Sequence, residues 1–161
     1  MTKTRRILVL AAGVLTLALL VPATPAWATT RYLSDMKEVN HAECCRDDGS
    51  YSVDGTVYYH SLKWGLNGEE EYWAEYSLKK KWTTFRTTVG SWDDSSTAGP
   101  LHFEFYQDGN LTWSQDVAFG KAVKVKLGVA NTLRLKLVVI NPDSNYWHRT
   151  DAVWGTARVK S

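Results

Sequence analysis

The sequence predicts an all-β protein, a two-sheet antiparallel sandwich. Three observations carry that reading. From residue 52 onward apolar and polar residues alternate with a period of two. Turn-forming residues interrupt the alternation at short, fairly regular spacing. No stretch in that region has the spacing of an amphipathic helix. Each half-apolar strand then needs a second sheet to cover its apolar face.

The elements follow in order. Val53-Asp54-Gly55-Thr56-Val57 is a tight turn entering a strand that runs to about Leu62. Tyr72, Ala74, Tyr76 and Leu78 alternate with Glu71, Trp73, Glu75 and Ser77. Phe85, Thr87 and Val89 form the next apolar row, and Leu101, Phe103 and Phe105 the one after. Asp108-Gly109 signals a hairpin before Leu111 and Trp113. Val123, Val125 and Leu127 alternate with Lys124 and Lys126. Leu133, Leu135, Leu137 and Val139 alternate with Arg134, Lys136 and Val138, and Val153, Gly155, Ala157 and Val159 close the chain. That makes eight strands. Tyr32 and Leu33 could begin another, and the polar stretch His41 to Ser50 reads as a loop. Phe85, Phe103, Phe105, Val125, Leu135 and Leu137 are the expected core. No repeat, linker or second domain is visible.

The first 28 residues stand apart. Lys3, Arg5 and Arg6 precede an apolar run from Ile7 to Val21, and Ala26-Trp27-Ala28 offers small residues where a signal peptidase reads. This pattern predicts a secretory signal over 1–28, cut after Ala28, and a single domain over 29–161. The alternative is an uncleaved anchor, but the run is short for a span of ~20 residues and ends in prolines. The whole chain has 161 residues with 19 basic and 17 acidic side chains. Cleavage removes three bases and no acid, so 16 bases face 17 acids, a net charge of −1. Such a surface has no electrostatic footprint for nucleic acid. Lys79-Lys80-Lys81, the densest basic run, reads as a solvated turn. The mature protein is expected to be extracellular, with no nucleic-acid partner and no membrane association.

Export implies an oxidising compartment. The two cysteines, Cys44 and Cys45, are adjacent. Consecutive Cα atoms lie about 3.8 Å apart, below the usual disulfide range of about 4.4–6.8 Å. A strained vicinal ring, an interchain bridge and free thiols all stay open. Adjacency also fits poorly with a zinc knuckle that would add His41 and His60.

Strand parity locates the functional end. Consecutive connections in an antiparallel sandwich alternate between its two ends. One end receives 79–81, 108–109 and 128–132. The other receives 63–70, 91–100, 118–120 and 141–151, three of them long. Those loops carry Trp64, Trp92, Phe119, Tyr146 and Trp147 beside Asp93, Asp94, Asn145, His148 and Asp151. Loops on a rigid scaffold are where binding residues concentrate.

Short segments then carry a resemblance. They are Tyr32-Leu33-Ser34-Asp35, Asp54-Gly55, Tyr59-His60-Ser61-Leu62, Glu75-Tyr76-Ser77-Leu78 and Phe85-Arg86-Thr87-Thr88-Val89-Gly90. Asp93-Asp94, Phe103 to Gly109, Leu133-Arg134-Leu135 and Trp154 to Val159 complete the series. In this order and spacing the chain resembles the NPCBM family of carbohydrate-binding modules, over Tyr32 to about Val159. The resemblance implies a jelly-roll-like sandwich of the galactose-binding-like fold that binds glycans without catalysis, galactose-containing ones among them. Relatives usually sit beside a glycoside hydrolase domain, whereas this sequence shows none and is expected to act alone. The family often carries an Asp-His-Ala-Asp-Trp-like segment before its last strand, where this chain reads His148-Arg149-Thr150-Asp151-Ala152-Val153-Trp154. Sugar specificity is therefore not carried over.

The site residues follow from the loops. Trp64, Tyr146 and Trp147 are expected to form the apolar wall of a sugar site, since a ring can stack on the C–H face of a pyranose. The competing role for Trp64 and Trp147 is to pin the loops, and packing is favoured for Trp92. His60, Asp93, Asn145, His148 and Asp151 are the expected hydroxyl partners. Asp93 and Asp94 are weak calcium candidates, with loop capping the stronger reading; no other cofactor is expected. No opposed carboxylate pair, G-x-S-x-G elbow or H-E-x-x-H motif supports an enzyme. Two functions stay open: a module for a glycan or cell-surface polysaccharide, and a secreted interaction module, an inhibitor or scaffold, with a protein partner. An open aromatic cleft with polar rims would favour the first. A flat apolar patch, or dimerisation through Cys44 or Cys45, would favour the second.

Overall fold

The computed structural model describes residues 28–42, 46–68, 70–96, 99–143 and 149–161. The expected signal segment up to residue 27, Cys44, Cys45, and Asn145 to His148 lie outside the described residues.

Eleven strands form among the described residues: β1 (Thr30–Tyr32), β2 (Glu38–His41), β3 (Arg46–Val53), β4 (Thr56–Asn67), β5 (Glu70–Ser77), β6 (Thr84–Ser91), β7 (Leu101–Gln107), β8 (Asn110–Val117), β9 (Ala122–Gly128), β10 (Arg134–Asn141) and β11 (Arg149–Lys160). One 3-10 turn spans Leu33–Asp35. The first sheet runs β3-β4-β11-β6-β9, with β1 also paired to β11; the second runs β2-β5-β10-β7-β8. The strand pairings among the described residues are all antiparallel. The expected sandwich is therefore present, and β4 to β11 are the eight strands that the alternation marks. The loop expected over His41 to Ser50 is corrected: His41 ends β2, and Arg46–Ser50 begin β3. Asp and Gly are depleted in strands, so propensity hides this one. As an edge strand it can carry charge where a central strand could not.

The expected core residues are buried: Phe85, Phe103, Phe105, Leu135 and Leu137 fully and Val125 nearly so. Trp154 stands at its centre, edge-on to Trp64 at 4.5 Å and to Phe103 at 5.2 Å between ring centroids. Each such buried ring removes enough apolar surface from water to dominate local stability. At one side of the sandwich Arg46 joins the sheets. Its guanidinium donates to Glu38, Asp48 and the Tyr76 hydroxyl.

β4 does not stay in its sheet. It pairs with β11 only from Leu62 to Asn67, and β1 takes the remaining stretch of β11. His60 sits at the bend with φ +53°, and the β3–β4 register shifts between Gly49 and Tyr51. β11 has its own irregularity between Gly155 and Arg158. Ser61 locks the two bends together, donating its hydroxyl to Tyr58 O (2.8 Å) and accepting the Thr156 N–H (3.1 Å). Beyond the bend the β3–β4 tip lies on the outer face of the first sheet. Tyr58 covers Gly155, and Val53 reaches Gly90. The turn itself is the expected two-residue one, with φ +50° at Asp54 and +71° at Gly55.

Register confirms the parity argument. Asn67 lies opposite Arg149, Glu70 opposite Asn141, Ser91 opposite Ala152, and Leu101 opposite Val117. The connections after β4, β6, β8 and β10 therefore share one end.

Candidate functional site

At that end, on the outer face of the first sheet, β11 presents Asp151. Its carboxylate is nearly enclosed, 6% exposed, and accepts from Arg149 at 3.1 Å, with the Lys63 ammonium at 3.9 Å. Gly65 is the cross-strand partner of Asp151, and the Arg149 and Asp151 side chains occupy the space where its Cβ would stand. The loop after β6 is stitched to the same strand. Trp92 N–H donates to Asp151 O (2.8 Å), Asp151 N–H to Ser95 Oγ (2.9 Å), and Ser96 Oγ to Arg149 O (2.7 Å).

Two rings flank the charges. Tyr51 and Trp92 meet edge-to-face at 5.9 Å, and Lys63 Nζ lies 4.4 Å from the Trp92 centroid and 4.9 Å from that of Tyr51. Burial, a hydrogen bond to Asp47 and the charges of Asp47, Asp48 and Asp151 hold the Tyr51 hydroxyl protonated well above its ordinary range. The result is a fixed apolar corner beside a cation, a carboxylate and a guanidinium. That combination suits a hydroxyl-rich ligand: rings take C–H faces while charged groups form strong hydrogen bonds to hydroxyls.

The sequence-predicted residues fare differently. Asp151 is in this cluster. Trp64 is not an exposed wall: it is 2% exposed on the inner face of β4, packed on Trp154, and so belongs to the core. His60 is not brought to Asp151. Gly65 lies five positions further along β4, on the order of 17 Å at strand rise. It stacks on Tyr32 at 4.1 Å and borders a separate hollow of about 380 Å³ with Ser34, Asp35, Asp48 and Tyr59. Asp93 caps the β3–β4 tip. One carboxylate oxygen accepts the Asp54 N–H (2.8 Å) and the other the Gly55 N–H (3.0 Å). Asp94 is exposed in the adjoining turn. Among the described residues no group of three or more His, Cys, Asp or Glu side chains is placed to hold a metal ion. Asn145, Tyr146, Trp147 and His148 lie outside the described residues, in the connection leading into Arg149. Trp92, for which packing is the favoured role, is half-buried against Tyr51 and Lys63 and forms part of this corner. Tyr51, Lys63 and Arg149 are the residues that sequence reasoning missed. Only recognition of β3 as a strand could have placed Tyr51 near Lys63.

A two-sheet antiparallel sandwich with its long loops at one end is the architecture of carbohydrate-binding modules. The NPCBM/NEW2 domain model matches residues 23–160, and the chain belongs to that family. Among solved structures it is similar to the CBM51 of Clostridium perfringens GH95 in complex with methyl-galactose: 20% identity, TM-score 0.65, covering 81% of this chain and 99% of that one. It is also similar to the CBM51-2 and INT domains of Clostridium perfringens ZmpB, at 19% identity and TM-score 0.66, over 83% of this chain and 32% of that one. The tandem CBM51 modules of Sp3GH98 from Streptococcus pneumoniae match at 17% identity and TM-score 0.65, over 82% of this chain and 47% of that one. These identities speak for the fold. A search of curated protein sequences finds no match.

Proposed function

We propose that the chain, cut after Ala28, is an extracellular, stand-alone, non-catalytic glycan-binding module, with galactose-containing glycans as its first candidate ligands. The observation that carries this reading is the Tyr51–Trp92 corner built around Lys63 and Asp151 at the loop end. The likeness to a module solved with methyl-galactose supports the choice of sugar. Tyr146 and Trp147, in the adjoining connection, would complete the apolar wall, with Asn145 and His148 as further hydroxyl partners. Asp151, already paired with Lys63 and Arg149, would together with Lys63 orient the sugar through charge-assisted hydrogen bonds to its hydroxyls.

A glycan array on the mature protein, followed by titration calorimetry, tests the proposal. Galactose-terminated glycans should bind, and Trp147→Ala should weaken binding tenfold or more, equivalent to about 1.4 kcal/mol, with an unchanged melting curve. An array without any bound glycan, or a variant binding as tightly as the parent, would overturn it.

A further inference from the structure

A second feature of the outer face lies away from the loop-end cluster. Register places Lys126, Arg86 and Arg158 directly beside one another on β9, β6 and β11. In the next outward row stand Lys124, Thr88 and Gly155. Adjacent strands are about 4.8 Å apart. Like charges set directly opposite across strands destabilise a sheet, and no ion pair among the described residues involves any of these four cations. They surround a hollow of about 300 Å³, whose lining contains no carboxylate side chain. Thr88 and Gly155 lie at its floor, and its wall is the half-buried Tyr58 of the folded-over hairpin. That volume is at the lower end of the range for ligand pockets, roughly 300–1,000 Å³.

We infer that this groove is a separate binding site for an acidic polysaccharide. The acid groups of the polymer, carboxylates or sulfates, would lie along the Lys126–Arg86–Arg158 row, and a sugar ring would rest against Tyr58. Charge complementarity selects the anion. The single aromatic wall selects a glycan over single-stranded nucleic acid, whose binding grooves stack successive bases on several rings. An anionic occupant also accounts for three cations held side by side with no ion-pair partner among the described residues. The inference does not depend on the galactose reading, because its residues and its ligand are different.

Affinity electrophoresis and calorimetry on the mature protein test it, with polygalacturonate, dextran sulfate, neutral dextran and poly(dT) as probes. One or both polyanionic glycans should bind, more weakly as salt screens the row, and neutral dextran should not. The triple variant Arg86→Gln, Lys126→Gln, Arg158→Gln should lose at least tenfold in affinity and melt no earlier than the parent, since it removes repulsion. It should keep any binding to galactose-containing glycans, while Trp147→Ala should keep the binding to polyanions. The tighter of the two polyanions identifies the acid group. Failure of both to bind, equal binding by the triple variant, or poly(dT) binding as tightly as either would overturn the inference.

Discussion

The Tyr58 side chain lies so close over Gly155 that a Cβ at position 155 would stand 2.7 Å from its Cγ and 2.9 Å from its Cβ. The absence of a side chain at 155 is what lets the β3–β4 tip lie on the sheet. Gly155→Ala forces Tyr58 outward from its root, where no rotamer change relieves the clash. It should cost about 1–3 kcal/mol, as overpacking does, measured by chemical denaturation. It should also raise proteolysis at the Asp54-Gly55 turn. A variant as stable and as protected as the parent would mean that the tip is not held there.

Asp93 holds the same tip from the other side. Asp93→Ala leaves the Asp54 and Gly55 N–H groups without their acceptor and should cost about 1.5 kcal/mol, the low end for bonds to a charged group because the site is half-open. Asp93→Asn keeps one acceptor and should cost less. Since both carboxylate oxygens already serve the backbone, adding calcium or a chelator should leave the melting midpoint unchanged. A calcium-dependent midpoint would give Asp93 the other role.

Trp64 separates packing from recognition. It is enclosed against Trp154, so Trp64→Ala should cost about 3–5 kcal/mol. Trp64→Phe should restore much of that stability and bind glycan as the parent does. A Phe variant that is stable yet has lost glycan affinity would return Trp64 to the site.

These residues show where the sequence was legible. Period-two alternation marks β4 to β11 because each has one face on the core, and that alone places Phe85, Phe103 and Leu137 correctly. β3 escapes because Arg46, Asp47 and Asp48 are charged and the strand lies at an edge. With β3 unread, Tyr51 has no address and Lys63 no aromatic neighbours. Trp64 was misplaced by a loop boundary: β4 continues through Asn67, so its inward parity reaches Trp64 and Leu66. His60 was misplaced by the bend, a positive-φ residue within a strand that alternation does not announce.

Alkali should unfold the domain through two tyrosines. Burial raises the Tyr76 hydroxyl above its ordinary value of 10.0; Arg46 pulls it down and Glu38 pushes it up. Burial likewise raises Tyr51, aided by Asp47. Both groups bind their protons more tightly when folded. Their contribution to stability is therefore complete below about pH 10 and is lost as pH rises above it, where only the unfolded chain ionises freely. Stability by denaturant titration should decline from about pH 10 upward, and Tyr51 and Tyr76 should titrate above the ordinary tyrosine range in an absorbance titration. Simple titration of every tyrosine near pH 10 in the folded protein would contradict this.

The Arg46 hub yields the last prediction. Its guanidinium bridges Glu38 on β2, Asp48 on β3 and the Tyr76 hydroxyl on β5, with Glu38 only 17% exposed. Arg46→Met removes the cation and leaves the Glu38 carboxylate against Tyr76 without compensation. For fully buried pairs that loss is about 3–5 kcal/mol; solvent access on both partners should bring it to about 2 kcal/mol. The second change Glu38→Gln removes the stranded charge, so the double variant should be more stable than Arg46→Met alone. That ordering distinguishes an uncompensated charge from lost packing, because packing loss would persist in the double variant. Equilibrium denaturation of the four proteins in the cycle measures it. Equal stability of the single and double variants would mean that Arg46 acts through its stem alone.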